Sequence, residues 1–283
     1  LQDISVSIIA NILSTEKQGI VIGALAEGKS IRSIERMTGI QRDTIMRLGV
    51  RVGQNCKTIL DEKMRGLDCK RIEVDEIWGF IGKKQANVRS TGNRAEVGDV
   101  WTFLAIDTET KLMPCFVVGK RDKYHTNIFM EDLASRMKNR IQLSSDAMNA
   151  YADAVERNFG GDVDYGQIVK EYSSPVAEER HKYSPAKLWA VYCEAINGIP
   201  ESRLVSTSMI ERANLTLRTH CKRIARLTLA FSKKKENFEA AIALHLAYYN
   251  FVRSHGTLRM TPAMAAGVEK SFWTVNDLVD AAK

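Results

Sequence analysis

At 283 residues the chain is long enough for about two domains with a sizeable core. Its 45% hydrophobic and 27% charged residues are those of a globular protein, and no apolar run approaches the ~18 residues of a membrane span, so no membrane partner or signal peptide is expected. The cysteines (56, 69, 115, 193, 221) are scattered without a CxxC pair, which argues against a disulfide framework or zinc finger and suits a reducing cytoplasm; the net charge of +7 points, weakly by itself, to nucleic acid and a nucleoid-associated location.

Residues 1–60 read as a small helical domain. Lys17 to Glu27 carries Ile20, Val21, Ala24 and Leu25 on one side and stops at Gly28. Ser30 caps a second helix, Ile31 to Thr38, with Ile34 and Met37 inward. Gly39 turns the chain into a third, from about Gln41 to Asn55, with Ile45, Leu48 and Val52 inward. This is the plan of a helix-turn-helix DNA-binding domain, in which Arg42, Asp43 and Arg47 face outward toward bases and phosphates. A plain three-helix bundle for packing or dimerisation is the alternative. Residues 61–70, charged and holding Gly66, read as a linker.

From residue 71 the pattern changes. Arg71 to Ile81 alternates and is rich in β-branched and aromatic residues, the mark of a strand. Trp101 to Asp107 is a second strand and Leu112 to Val118 a third, with Pro114 at an edge or bulge. Lys83 to Gly98 between the first two is a polar, basic loop. A helix over Asn127 to Arg140, a short strand from Ile141 ending at Asp146, and a helix from Met148 to Phe159 follow. This order predicts an α/β fold: an RNase H-like mixed sheet flanked by helices, spanning 71–268 with a C-terminal helix over 269–283. Asp75 is mid-strand in an apolar context, where a carboxylate is costly unless paired or metal-bound. Asp146 ends a strand, where α/β sheets place their chemistry. Singly, a salt bridge explains the first and a helix cap the second. In the predicted fold the first and fourth strands are neighbours.

Residues 173–205 are polar, hold Pro175, Pro185 and Pro200, and read as an insertion with one helical piece near Ala186 to Ala195; Trp189 there suits core packing or stacking on a base. Ser206 to Leu227 reads as a helix, with Ile210, Ala213, Leu217, Cys221 and Ile224 as its apolar stripe. Glu211 stands at its head, and Arg218, Lys222, Arg223 and Arg226 follow, then Lys233, Lys234 and Lys235. That row holds seven cations and no acid between residues 218 and 235, which suits a phosphate backbone. Ser208-x-x-Glu211 also has the form of a capping box. If Asp75, Asp146 and Glu211 converge, three hard oxygen donors at one point suit Mg²⁺ or Mn²⁺. An amphipathic helix over Lys235 to Arg253 places His245 in packing, and Thr274-x-x-Asp277 caps a last helix.

The blocks VDEIWGFIGKK, GDVWTFLAIDTETKL, LSSDAMNAY, STSMIERANLTLR and ALHLAYYNFVRSHGTLRMTPAMAAGV, in this order, resemble a bacterial insertion-sequence transposase of the DDE type, in the insertion-sequence-one family. The resemblance covers nearly the whole chain. It implies Asp75, Asp146 and Glu211 as the catalytic, metal-binding triad, with Arg218 as the basic residue seven after the Glu. It implies two Mg²⁺ per site, replaceable by Mn²⁺, and metal-dependent strand cleavage and transfer. It implies double-stranded DNA as partner, both element ends and target, and a homodimer or larger assembly on it. The chain departs from compact members in the 173–205 insertion, and from some relatives in lacking a zinc-finger start. Two other readings stand beside this one: a metal-dependent RNase H-like nuclease without strand transfer, and a non-enzymatic DNA-binding repressor.

Overall fold

Strand β1 (Arg71–Ile81) is where the rest of the sheet assembles. The computed structural model describes residues 13–88, 97–173 and 187–283. β2 (Gly98–Asp107) and β3 (Phe116–Gly119) meander antiparallel from one side of β1. On the other side β4 (Ile141–Asp146) and β5 (Val163–Tyr172) add in parallel, and β6 (Leu188–Asn197) closes the row antiparallel to β5. The strand order is β3-β2-β1-β4-β5-β6, a six-stranded mixed sheet. The first and fourth strands are neighbours, as the chain order predicts. Their register pairs Glu73 with Ser144, so Asp75 and Asp146, each two residues further on, stand at the same level of the sheet.

The helices cover both faces. α4 (Lys123–Arg136) and α5 (Asn149–Phe159) pack together behind the sheet. α6 (Ser208–His220) crosses β1 and β2 on the opposite side. At the N-terminus, Ser14 and Ser30 cap α1 (Thr15–Ala26) and α2 (Ile31–Thr38), accepting from Lys17 N–H and Ser33 N–H. Gly39, in the left-handed region, ends α2. α3 (Arg42–Lys63) then runs along α7 (Lys235–Ala247), whose last turn is a π-helical stretch, Tyr248–Val252. The two helices touch backbone to backbone: a Cβ on Gly53 would lie 2.2 Å from the carbonyl oxygen of Ala240, so only glycine fits there. Val52, Cys56, Ile59 and Leu60 of α3 share one buried cluster with Phe238 and Ile242 of α7 and with the sheet. Two short helices, α8 (Pro262–Ala265) and α9 (Val275–Ala281), finish the chain, the latter with the expected Thr274–Asp277 capping box.

Several elements differ from expectation. α3 continues to Lys63, and Met64, Leu67 and Cys69 are buried, so the stretch read as a linker is packed against the end of α4, with Leu67 N–H donating to the Arg136 carbonyl. Met37 points outward, and Ile22 rather than Ile20 enters the core. β3 starts only at Phe116, after Pro114. The helix expected near Ala186 to Ala195 is strand β6: Trp189, Val191 and Tyr192 are β-formers, and β5, which hydrophobic periodicity did not resolve, offers a ladder. The helix expected to reach Leu227 stops at His220. Arg218 donates to the Ile224 carbonyl, and Arg223 donates to those of Ala230 and Phe231, folding the chain back. Residues 1–12, 89–96 and 174–186 lie outside the described residues, and with them parts of the predicted first domain, the basic loop and the insertion.

Candidate active site

Alternation along β1 divides its acids between two faces. Glu73 and Asp75 face α6; Glu76 faces α5. Buried Glu73 accepts from the backbone N–H groups of Met209 (2.7 Å) and Ile210 (2.9 Å), so a carboxylate from the sheet caps the free N-terminal donors of α6. This corrects the Ser208 capping box: Thr207 is the N-cap residue, no side chain of its own caps the helix, and Glu211 lies one position beyond the box. Asp75 accepts from Asn214 Nδ2 at 2.7 Å and from the backbone N–H of Glu76 at 2.8 Å. Asp146, at the end of β4, accepts from Met148 N–H at 3.2 Å and lies 3.6 Å from the guanidinium of Arg121. Glu211 accepts from Lys170 Nζ at 2.6 Å and from Thr207 Oγ1 at 2.9 Å. Asp75, Asp146 and Glu211 line one open cavity of about 710 Å³, together with Arg121, Lys170 and Tyr172.

The charges in this cavity are out of balance. Burial, with Glu76, Asp146 and Glu211 adding repulsion and the Glu76 N–H opposing, pushes the Asp75 carboxyl up to about 7. Glu211 behaves oppositely: burial acts to raise it, but the hydrogen bonds from Lys170 and Thr207 outweigh that and hold it below the usual glutamate range. Glu76, its side chain 2% exposed, is raised by burial and by Asp146, against Arg121 and the Tyr151 hydroxyl, which donates to it at 2.9 Å. Neither Glu73, Lys170 nor Arg121 was picked out in the sequence. Glu73 carries a legible signal, being a same-face acid two residues before Asp75; the other two do not.

Among the described residues, no group of three or more His, Cys, Asp or Glu stands close enough to hold an ion. The donor chemistry nonetheless fits a hard divalent cation: three carboxylates border the cavity, one of them pushed up by burial and then by its like-charged neighbours, and an ammonium already sits on Glu211. The basic residues divide. Arg42, Asp43 and Arg47 are exposed at the start of α3, and Lys222, Arg226, Lys233 and Lys234 are exposed on or beside the loop after α6. Lys235 is half-buried and lies 3.5 Å from Glu239. Arg218 and Arg223 are partly buried and spend donors on backbone carbonyls, which gives both a structural task.

Residues 186–252 match the family model for IS1 transposases, a stretch that holds β6, α6 with Glu211, and α7. The chain thus resembles a transposase of the DDE type, and over this stretch the likeness read from its sequence blocks is borne out. No curated protein matches the chain. Among solved structures, a cryo-EM structure of a piggyBac transposase synaptic complex with hairpin DNA is similar at 11% identity and a TM-score of 0.43, covering 95% of this chain and 69% of that one. Among the described residues, no helix is long and apolar enough to cross a membrane.

Proposed function

We propose that this chain is a DDE transposase with an RNase H-like catalytic core, acting on double-stranded DNA. The observation that carries the reading is the meeting of Asp75, Asp146 and Glu211, from β1, β4 and α6, at one cavity. The family match, which includes Glu211, supports it. Asp75, Asp146 and Glu211 would hold divalent magnesium, which supplies Lewis-acid activation of an attacking oxygen and stabilisation of the leaving one. The chain's own residues prepare that site. Asn214 and the Glu76 N–H orient Asp75, Met148 N–H orients Asp146, and Glu73 fixes the helix that bears Glu211. Lys170 and Thr207 both sit on one oxygen of Glu211, Oε1, so the Lys170 ammonium would compete with a cation for that oxygen and is placed to meet a DNA phosphate. Arg42 and Arg47 on α3, as part of a helix-turn-helix, would select the element's ends. Lys222, Arg226, Lys233 and Lys234 would hold the backbone without regard to sequence.

The test is a set of single substitutions assayed on an end-bearing duplex with Mg²⁺. Asp75→Ala, Asp146→Ala and Glu211→Gln should each abolish cleavage and strand transfer while DNA binding persists. Any one that cleaves at the wild-type rate removes that residue from the triad. Products that are cut but never joined would favour a nuclease. Because α3 is part of the common core, Arg42→Ala and Arg47→Ala, rather than deletion of residues 1–60, test end recognition. Both should lower the preference for end DNA over unrelated DNA.

A further inference from the structure

The chain after α6 folds into a loop with a fixed foot and an apolar tip. Gly82 N–H, just past the end of β1, donates to the Ser232 carbonyl at 2.8 Å, and the Phe231 ring packs on Phe80 with centroids 5.2 Å apart. Arg223 donates to the carbonyls of Ala230 at 2.9 Å and Phe231 at 3.3 Å. Arg218, about two turns beyond Glu211 on α6, donates to the Ile224 carbonyl at 3.0 Å. At the tip the Thr228 hydroxyl accepts Ala230 N–H at 2.9 Å. On either side of that threonine stand Leu227 and Leu229, 94% and 99% exposed. One bare leucine on a surface needs no explanation. A pair of them, on a loop held in one shape by two arginines and a hydroxyl, forms a preformed apolar point.

The setting of the leucines identifies what covers them. Lys222 and Arg226 before them and Lys233 and Lys234 after them are exposed, and the chain has no acid between Glu211 and Glu236. An apolar protein groove would cover the leucines and leave these cations without counter-charge. Duplex DNA offers phosphates to the cations and, between its stacked bases, flat apolar faces to the leucines. The phosphates are hydrated and cannot themselves cover a leucine. Cations seated on the backbone therefore leave Leu227 and Leu229 only the groove and the base step beneath it. We infer that Leu227 and Leu229 form a wedge that enters a groove of bound duplex and unstacks one base step, while Lys222, Arg226, Lys233 and Lys234 hold the flanking phosphates. The inference rests on the reading of this chain as a DNA transposase and adds to it a distortion of the substrate at a fixed place. The loop is tied to β1 and α6, the elements that carry Asp75 and Glu211, so the opened step keeps a constant distance from the candidate metal site.

The test uses an end-bearing duplex in which a fluorescent adenine analogue, bright only when unstacked, is moved through successive positions. With the wild-type full chain, one position or two adjacent ones should brighten by about fivefold. The chain carrying Leu227→Ala and Leu229→Ala together should brighten none. It should keep its melting temperature, because both side chains are exposed, and the salt dependence of its DNA binding, because the cations remain. Leu227→Phe with Leu229→Phe should keep the signal, since phenylalanine is also a wedge. A mismatched pair at the bright step should tighten wild-type binding by about tenfold and leave the alanine variant's affinity unchanged. A wild type that binds the duplex and brightens no position overturns the proposal. So does an alanine variant that brightens it equally. An alanine variant that alters the oligomeric mass and not the fluorescence assigns the leucines to a protein contact, which also overturns it. A wild type that neither binds nor cuts the duplex would refute the transposase reading itself, and the wedge with it.

Discussion

Replacing Glu73 tests whether the sheet holds the helix that carries Glu211. One of its oxygens, Oε2, accepts both Met209 N–H and Ile210 N–H. Glu73→Ala strands both donors: the Ile210 N–H is buried and the Met209 N–H partly so. A buried unsatisfied donor costs about 1–3 kcal/mol, so taking about 2 for the first and about 1 for the second gives about 3 kcal/mol. For a chain of this size that is a fall in melting temperature of roughly 6–12 °C. Glu73→Gln keeps an oxygen with two lone pairs in the same place. It forfeits the favourable charge at a helix N-terminus, about 1 kcal/mol, but also relieves the burial that raises the Glu73 carboxyl above its ordinary value. Because the carboxyl stays above its ordinary value even with both N–H groups on it, burial works against the charge, and Gln should melt close to wild type at neutral pH. Thermal melting and urea titration of both variants supply the stabilities. Cleavage assayed well below either midpoint supplies the link to function: Ala should lose activity while folded, because the start of α6 is no longer fixed, and Gln should keep most of it. An Ala variant as stable as wild type, or a Gln variant as damaged as Ala, would refute the cap.

Lys170→Met should free Glu211 from its ion pair and lower the Mg²⁺ concentration giving half-maximal cleavage. The pair is partly exposed and worth no more than about 1 kcal/mol, so the shift should be about two- to fivefold; an unchanged or higher requirement counts against competition between the ammonium and the metal. Arg121→Met leaves the Glu76 carboxylate buried without its cation, beside Asp146. Since the Glu76 carboxyl is already held above its ordinary value by burial, the loss should be about 3 kcal/mol at alkaline pH and should shrink as pH falls and Glu76 takes up a proton; equal loss at both ends would point to packing alone. His245 is buried, and burial, reinforced by His220 and Arg253, lowers its imidazole from 6.5 to about 4. The unfolded chain therefore binds a proton between those values that the folded chain does not, and stability should fall by about 3 kcal/mol as pH drops through that window. In His245→Gln that part of the slope should vanish, and a slope identical to wild type would show that His245 does not carry it.

How far the fold could be read from the chain depended on whether each signal was local. β1 is bounded as its alternation predicts, because period-two patterning needs only neighbours along the strand. The same is true of Thr274 and Asp277, whose cap closes within one turn. β6 has no alternation to detect, being exposed on both faces, and only pairing with β5 defines it; β5, buried in its first half and exposed in its second, carries no period-two pattern over its length and is defined by the ladders it forms with β4 and β6. The end of α6 was missed for a related reason. The apolar stripe continues through Cys221 and Ile224, both buried, although the helix does not, because the returning chain keeps those side chains inward while Arg218 and Arg223 take the carbonyls. Apolar spacing reported the core correctly and the backbone incorrectly.

The candidate site shows the same division at the scale of single atoms. Asp75 and Glu76 are adjacent acids, and from sequence either can be put forward as a ligand. The pleat sends them to opposite faces, which decides their tasks. Glu76 is turned toward α5, where Arg121 and Tyr151 use both of its oxygens, so it serves as a buried counter-charge that holds Arg121 beside Asp146. Asp75 faces the cavity with one oxygen on its own backbone neighbour and the other on Asn214. Asn214 lies three residues after Glu211, so one helix both presents a carboxylate and steadies another. Glu73, two residues before Asp75 on the same face, fixes where that helix begins. A single strand–helix contact therefore sets the separation of two acids that stand 136 residues apart in the chain. This is why the start of α6 is the most sensitive joint in the site, and why its cap is a better probe of the arrangement than either acid alone.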